Sequence, residues 1–189
     1  MNSTMMLKPA TINDKLRLLP IGIDEQERLR RMMHLIYKPI YRHLWKDDGE
    51  AYVESQYNKD QVLTELSLPN ARYYFVEYKS EVVGMLRFLF DCPYEKSPNL
   101  NTTKLHRIYL DPATHGSGIG SQLIDYVFEQ AIKNNQKSVW LECMDTQEPA
   151  IRFYKKKGFY IERPFTLDSP TMNKEFRGMY LMKYDLEAC

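Results

Sequence analysis

The chain has 189 residues, of which 43% are hydrophobic and 27% are charged, as in ordinary water-soluble globular proteins. This length allows a single domain, residues 1–189, with a substantial core. A formal net charge of +1 at pH 7 argues against a broad nucleic-acid footprint. No apolar run is long enough for a membrane span, and Cys92, Cys143 and Cys189 are scattered, which favours a reducing cytoplasm over a disulfide framework.

The first half of the chain predicts one strand, two helices and a hairpin. Residues 1–14 are polar and predict a loop, and residues 15–20 predict a strand at a sheet edge that Pro20 ends. Apolar residues spaced three and four apart predict a helix that Asp24 caps and that Pro39 kinks or splits. The remaining predicted elements are a turn at 46–50, a helix at 58–66, and strands at 71–78 and 82–90.

The second half alternates strands with helices only in part, which predicts a mixed sheet. It begins with a loop at 91–101 that contains two prolines. The elements predicted after this loop are a strand at 103–110, a turn at 111–114, a glycine loop at 115–120, a helix to residue 132, a strand at 138–143, a helix at 148–156, and a terminal hairpin of strands at 159–166 and 179–184.

Residues 103–132 combine a strand, a glycine loop and a helix, which together predict a phosphate-binding site. The first amides of a helix lack internal partners, the helix dipole adds positive charge, and glycines admit an anion close to the backbone. A Walker loop is excluded because Ser121 follows Gly120 directly, without the required lysine. A Rossmann fingerprint is excluded because Ser121 and Leu123 stand where it requires Gly or Ala.

Two motifs in the second half resemble one known superfamily. The run from His115 to Gly120 resembles the pyrophosphate loop of the GNAT superfamily of acyl-CoA N-acyltransferases, in which Arg or Gln, two residues, Gly, any residue, and Gly or Ala follow one another. His115 stands in the first place of that pattern. Downstream, residues 147–159 resemble the superfamily's later motif of Asn, Ala, Tyr and a closing Gly-Phe, with Gln147 in place of Asn.

The resemblance covers most of the chain, and the strand Arg107-Ile108-Tyr109 is similar to bacterial spermidine/spermine N-acetyltransferase-like members. It implies an α/β fold with a GNAT-type mixed, mostly antiparallel central sheet of six to seven strands, helices on both faces, and a splayed pair of parallel strands that holds acyl-CoA. The implied activity is acetyl transfer from acetyl-CoA to a primary amine by direct attack in a ternary complex. No metal is implied, and the four histidines lack the spacing of a metal site: His34, His43, His106 and His115.

The resemblance also implies which residues hold acetyl-CoA. Tyr109 and Leu110 would bind the pantetheine arm, with the Leu110 amide facing the thioester oxygen, and Gln147 would bind the arm from the other side. The run of lysines at 155–157 either reaches the 3′-phosphate or forms a solvated helix end. Because the charge of a histidine varies with pH, a direct role for His115 predicts a CoA affinity that changes between acid and neutral pH. The residues that would cradle the pyrophosphate are His115, Gly116, Ser117, Gly118, Ile119, Gly120 and Ser121.

The implied reaction needs an unprotonated amine, a donor for the oxyanion and a proton for the departing thiolate. Tyr154 matches the family tyrosine near the sulfur and is the candidate acid, with a packing tyrosine as the alternative. His106 is a candidate base, since two-residue alternation places it on one face with Lys104 and Ile108 and an imidazole titrates in the useful range. The alternative is an ordinary strand histidine.

Two residues of the strand at 138–143 complete the catalytic candidates. Glu142 lies near the open end of that strand and is the second candidate base, with a solvated strand residue as the alternative. Cys143 is predicted to be a small buried residue, and a ping-pong enzyme acting through it has no supporting base in the sequence.

The segment 45–54 lies where members of the superfamily usually shape the acceptor site, and it places acidic residues beside Trp45 and Tyr52. Acids and aromatic rings suit a cationic amine, so we predict a small polyamine or a related primary amine as the acceptor. The alternative is a polar surface loop over a tucked Trp45. A protein or peptide N-acetyltransferase and a non-catalytic acyl-CoA-binding module are further alternatives, and exposed strand edges are compatible with a homodimer.

Overall fold

One mixed sheet carries the fold in the computed structural model, which describes residues 7–94 and 101–186. Eight strands of this described part lie in the order β1-β2-β3-β4-β5-β6-β8-β7, and every neighbouring pair is antiparallel except β5 and β6. The strands are β1 (Ala10–Thr11), β2 (Leu16–Pro20), β3 (Ala71–Tyr78), β4 (Glu81–Leu89), β5 (Thr102–Leu110), β6 (Ser138–Met144), β7 (Tyr160–Thr166) and β8 (Gly178–Asp185).

The short strand β1 was not predicted, because its region was assigned to a loop. It pairs with β2 through Ala10 opposite Leu18 and Thr11 opposite Arg17. The prediction that residues 15–20 form an edge strand is therefore wrong, since β2 lies between β1 and β3. Two paired residues leave too little hydrophobic alternation to recognise a strand in the sequence.

Six α-helices flank the sheet in the described residues. They are α1 (Gln26–Ile36), α2 (Lys38–Tyr41), α3 (Glu50–Tyr57), α4 (Lys59–Leu66), α5 (Ile119–Lys133) and α6 (Glu148–Lys156). Pro39 splits the first predicted helix into α1 and α2, as expected from its missing N–H. The loop prediction for residues 50–54 is wrong: α3 begins there, and the Asp47 carboxylate accepts hydrogen bonds from Gly49 N (3.1 Å) and Ala51 N (2.8 Å) ahead of it.

The two faces of the sheet carry separate hydrophobic cores, as the alternation of side chains along a strand requires. Tyr74 and Val76 of β3 pack in the core beneath α5, whereas Tyr73 and Phe75 pack in the core beneath α1, α3 and α4. Helices therefore cover both faces of a mixed sheet, as predicted, although the described residues form eight strands where six to seven were predicted.

The parallel strands β5 and β6 separate partway along their length. They pair only through Thr102 with Ser138, Thr103 with Val139 and Lys104 with Trp140. Beyond these pairs β5 continues to residue 110 and β6 to residue 144, but the two strands do not pair with each other again. This confirms the predicted splayed pair, and it opens a gap in the middle of the sheet.

A β-bulge at His106 changes which face the end of β5 presents. Arg107 pairs with Arg87 and Leu105 pairs with Phe88, so His106 is the extra residue. Leu105 and Ile108 consequently both pack in the core beneath α5, although they are three residues apart. The prediction that His106 shares a face with Ile108 is therefore wrong.

Candidate active site

The loop between β5 and α5 presents free backbone amides at the start of a helix. Gly116 (φ 78°) and Gly118 (φ 80°) adopt left-handed conformations that glycine allows without strain. The first helical hydrogen bond runs from Gln122 N to Gly118 O at 3.2 Å. In the described chain, the amides of residues 119–121 have no backbone acceptor, and they point out of the helix N-terminus. This is the geometry that binds a phosphate group.

A cavity of about 850 Å³ extends from this loop past the end of β5 to α6. We call it the larger cavity. Lys156 and Lys157 also line it, and Lys157 Nζ donates to Ser121 Oγ (3.1 Å) and lies 2.5 Å from Asp125 Oδ1. The structure brings together here all the residues that the sequence assigned to acetyl-CoA: Tyr109, Leu110, His115, Gly116, Ser117, Gly118, Ile119, Gly120, Ser121, Gln147 and Tyr154.

The backbone of Leu110 faces the gap between the splayed strands. Asp111 N donates to Val83 O at 2.8 Å, and Leu110 lies opposite Gly84, one pair earlier in the antiparallel ladder. Hydrogen-bonded pairs alternate with pairs whose amides and carbonyls point away from the partner strand. The Leu110 N–H is therefore directed away from β4, towards the side that β6 has left, where it is free to meet a thioester oxygen.

A smaller cavity of about 200 Å³ lies in the gap itself, where residues 105–109 of β5 and 141–144 of β6 line it. Its walls are rich in aromatic rings, and Tyr52 stacks on Tyr37 (ring centroids 4.9 Å apart) and on Trp45 (4.6 Å). Trp45 Nε1 also donates to the Tyr37 hydroxyl at 3.0 Å, which fixes the indole ring. The aromatic side chains that line this smaller cavity are Tyr37, Tyr41, Trp45, Tyr52, Tyr109 and Tyr154.

The two cavities meet at a seam, which we define as the residues that line both. These are Tyr41, Ile108, Tyr109, Gln147, Ala150 and Tyr154. Burial, reinforced by the neighbouring Cys143 and Tyr41, raises the pKa of Tyr154 well above its ordinary value of 10.0. The phenol is therefore protonated at neutral pH, and it can donate a proton to a group formed at the seam.

His106 lines the smaller cavity, but its environment removes the titration that the sequence predicted. Its Nδ1 accepts a hydrogen bond from Arg87 Nη1. Burial, together with the charges of Arg107, Arg87 and Lys104, lowers the pKa of His106 to about 2. The prediction that this imidazole titrates in the useful range is therefore wrong, because a group of such low basicity does not take a proton from an ammonium ion.

Glu142 also lines the smaller cavity, where it is half-exposed. Its Oε2 accepts from Lys104 Nζ at 2.9 Å, and that ammonium lies 4.4 Å from the centre of the Trp140 ring. Cys143 follows on β6 and is buried, and burial with the nearby Asp145 raises the pKa of its thiol to about 11. A thiol of this pKa is a poor nucleophile at neutral pH.

The acidic residues of α3 face away from the smaller cavity, contrary to the predicted acceptor site. Glu54 Oε1 lies 2.6 Å from Arg30 Nη1 and 2.8 Å from His34 Nε2, and Glu50 pairs with Lys38. His34, Glu50 and Glu54 are close enough to share a metal ion, a cluster that sequence spacing did not reveal. Arg30 and Lys38 already balance both carboxylates.

Sequence reasoning did not assign Tyr37 and Tyr41 to the site, although both line the smaller cavity. Their spacing of four residues on one helical face was the available signal. No helix in residues 7–94 and 101–186 has the length and apolarity needed to cross a membrane.

A fold with a phosphate-binding loop beside a splayed parallel pair defines an enzyme class that takes an acyl group from coenzyme A. A sequence model of the Acetyltransferase (GNAT) family matches residues 31–159, which is more than half of the chain. The chain therefore belongs to the GNAT family and is an acyl-CoA-dependent N-acetyltransferase, as the motifs predicted.

Individual relatives agree with this family. The uncharacterized N-acetyltransferase in the pepI 3′ region of Lactobacillus delbrueckii subsp. lactis is 27% identical over 123 residues, which cover 64% of this chain and 71% of the relative. The structure of RimL, a ribosomal L7/L12 alpha-N-protein acetyltransferase in complex with coenzyme A, has a TM-score of 0.75 at 15% identity and covers 96% of this chain and 100% of that one. Spermidine N-acetyltransferase SpeG from Vibrio cholerae has a TM-score of 0.65 at 13% identity, with coverage of 92% and 95%. At such low sequence identities, the likeness to these two structures shows that the chain shares their fold.

Proposed function

We propose that this protein transfers an acetyl group from acetyl-CoA to a small primary amine by direct attack, with both substrates bound at the same time. The observation that carries the proposal is the seam, where Tyr154 lines both cavities. In this arrangement acetyl-CoA occupies the larger cavity with its pyrophosphate on the amides of residues 119–121, and the amine occupies the smaller one.

The reaction uses groups at the seam and beside it. The amine nitrogen attacks the thioester carbon, the Leu110 amide binds the developing oxyanion, and the carbon–sulfur bond breaks. Tyr154 gives its proton to the departing thiolate. Of the two candidate bases, Glu142 is the one that we retain, because His106 is too weakly basic. The buried Cys143 thiol disfavours a covalent acetyl-enzyme.

The lining of the smaller cavity supports a monoamine more than a polyamine. Aromatic rings stabilise one ammonium group before it loses its proton. A polyamine needs further carboxylates, yet Glu50 and Glu54 are paired with α1, and Glu142 is paired with Lys104. Because RimL is named for a protein acceptor and SpeG for spermidine, relatives of the same fold do not choose between these acceptors.

An acceptor screen tests the proposal. The protein is incubated with acetyl-CoA and single monoamines, polyamines or peptides, CoA release is followed with a thiol reagent, and acetylated product is identified by mass spectrometry. We expect at least one primary monoamine to accelerate CoA release tenfold or more over the rate without an acceptor. Tight CoA binding without transfer to any amine would show a non-catalytic acyl-CoA-binding module instead.

A further inference from the structure

A buried network of charges lies beneath one wall of the smaller cavity. Glu65 of α4 is 4% exposed, and Arg87 of β4 and Arg107 of β5 are 2% and 5% exposed. Arg107 Nη1 donates to Glu65 Oε2 at 2.8 Å, and Arg87 Nε lies 3.5 Å from the same oxygen. The Glu65 carboxylate thus pairs with two guanidinium groups. One of these, the guanidinium group of Arg87, is also hydrogen-bonded to His106.

The contact with Arg87 determines where His106 carries its proton. A guanidinium group can only donate, so Nδ1 of His106 must be the acceptor, and the proton of the neutral ring is on Nε2. In the described part of the chain Nε2 has no hydrogen-bond partner. It is not among the fully buried polar atoms without a partner, so this nitrogen is accessible. His106 lines the smaller cavity, and Nε2–H is the donor that its ring leaves without an acceptor in residues 7–94 and 101–186.

This donor lies at the acceptor end of the site. His106 lines the smaller cavity but not the larger one, so it is not part of the seam. Ile108 belongs to the seam and lies two residues further along β5, just beyond the bulge. The oxygen and the amine of an acceptor that meets both His106 and the seam must therefore be close together in its structure.

The charges around His106 favour an anionic partner. The basic groups are Arg87, Arg107 and Lys104, and the acidic groups within contact of them in residues 7–94 and 101–186 are Glu65 and Glu142. Three positive and two negative charges leave one positive charge in excess beside the cavity. Buried charge of one sign is stabilised when a ligand brings the opposite charge.

We propose that His106 is a specificity-determining hydrogen-bond donor, and that the acceptor is an α-amino carbonyl compound whose carbonyl or carboxylate oxygen binds His106 Nε2–H while its amine lies at the seam. The excess positive charge makes the free carboxylate of an amino acid the preferred form. This inference rests on the proposed acetyl transfer, and it narrows the acceptor class.

Matched acceptor series test the inference. The twenty amino acids, their α-amides, the corresponding β-amino acids and the corresponding amines without a carbonyl are compared by kcat/KM with acetyl-CoA at saturation. We expect the best α-amino acid or α-amide to exceed its carbonyl-free amine by tenfold or more, and to exceed its β-amino counterpart. The amino acid and amide arms distinguish recognition of a free carboxylate from recognition of a peptide-like carbonyl.

Two variants separate a binding role for His106 from a structural one. His106→Gln keeps both functions, because its amide oxygen can accept from Arg87 and its amide N–H can donate into the cavity. His106→Leu removes both. We expect the ratio of kcat/KM between an α-amino carbonyl acceptor and its carbonyl-free amine to fall at least tenfold in His106→Leu and to persist in His106→Gln.

Three results would overturn the inference. Equal kcat/KM for both members of each matched pair in the unmodified protein would remove it and leave the proposed acetyl transfer intact. An unchanged preference in His106→Leu would have the same effect, since it assigns the preference to other residues. Transfer to none of the amines tested would refute both the inference and the proposed function.

Discussion

Tyr154 has a protonated phenol at the seam of the two cavities, where we propose that the thiolate leaves. We predict that Tyr154→Phe lowers kcat roughly 10²-fold, as expected for the loss of one proton donor, while CoA affinity stays within twofold. Steady-state kinetics and titration calorimetry measure the two quantities. The matched control is Tyr160→Phe, which removes a surface hydroxyl that bonds Asp185 Oδ2 at 2.7 Å. A Tyr154→Phe enzyme with the original kcat contradicts the assignment.

His106 makes the folded protein sensitive to acid. Its folded pKa of about 2 lies below its ordinary value of 6.5, so between these values the unfolded chain binds a proton that the folded chain does not. Stability is therefore retained above pH 6.5 and lost as the pH falls below it. Between pH 7 and pH 5 this single group lowers the free energy of unfolding by about 2 kcal/mol.

We predict that His106→Gln loses about 2 kcal/mol less stability than the unmodified protein between pH 7 and pH 5. Urea unfolding at the two pH values measures the difference. His43→Gln is the control, because His43 is exposed and stacks only on the edge of Phe176. Equal acid losses in His106→Gln and the unmodified protein would show that this imidazole is accessible to protons in the folded state.

Residue types and spacing were enough to predict the glycine loop and to select Tyr154, which line one cavity, but not to predict the environment of His106. The glycine loop and the later motif can each be recognised from a short run of neighbouring residues. The face of His106 depends on a β-bulge, and its pKa depends on Arg87 and Arg107, whose approach follows from the pairing of β4 with β5. Neither the bulge nor this pairing register can be predicted from the residues next to His106 in the sequence.

The loop before α5 works through its backbone, so its glycines are the sensitive positions. The nearest side-chain atom to a Cβ at Gly118 in the described residues would be Gln122 Nε2 at 3.8 Å, so the substitution acts through the left-handed φ and through the space that a phosphate needs. We predict that Gly118→Val weakens CoA binding at least tenfold by titration calorimetry. Gly22→Val is the control, since Gly22 has a φ of −102° and open space around it. Retained CoA affinity in Gly118→Val would refute the phosphate-loop assignment.

Two elements, β3 and α6, were predicted to the residue, whereas the weakly patterned helix α3 was missed. The bounds of β3 and α6 match the prediction, because β3 is a long run of strand-forming residues and α6 ends before Gly158, whose φ is 91°. Helix α3 was missed because it buries only Val53 and Tyr57. Its start depends on Gly49 in a left-handed conformation and on the Asp47 carboxylate, which are signals of a turn as much as of a helix.

At the scale of the whole molecule, the site exists because β5 and β6 stop pairing. Three residue pairs hold the strands together, and beyond them residues of both strands line the smaller cavity, while the end of β5 also lines the larger one. The order of the motifs predicted the splay through family resemblance. The aromatic wall of the smaller cavity required the structure, since its residues come from helices, strands and loops that are far apart in the chain.

The central claim is that acetyl transfer occurs directly between two substrates that meet at the seam. The most direct test varies acetyl-CoA and an accepted amine together and measures initial velocities. Simultaneous occupation of both cavities predicts double-reciprocal lines that intersect, with no acetyl group on the protein after incubation with acetyl-CoA alone. Parallel lines, together with an acetyl group on Cys143 detected by mass spectrometry, would contradict the claim.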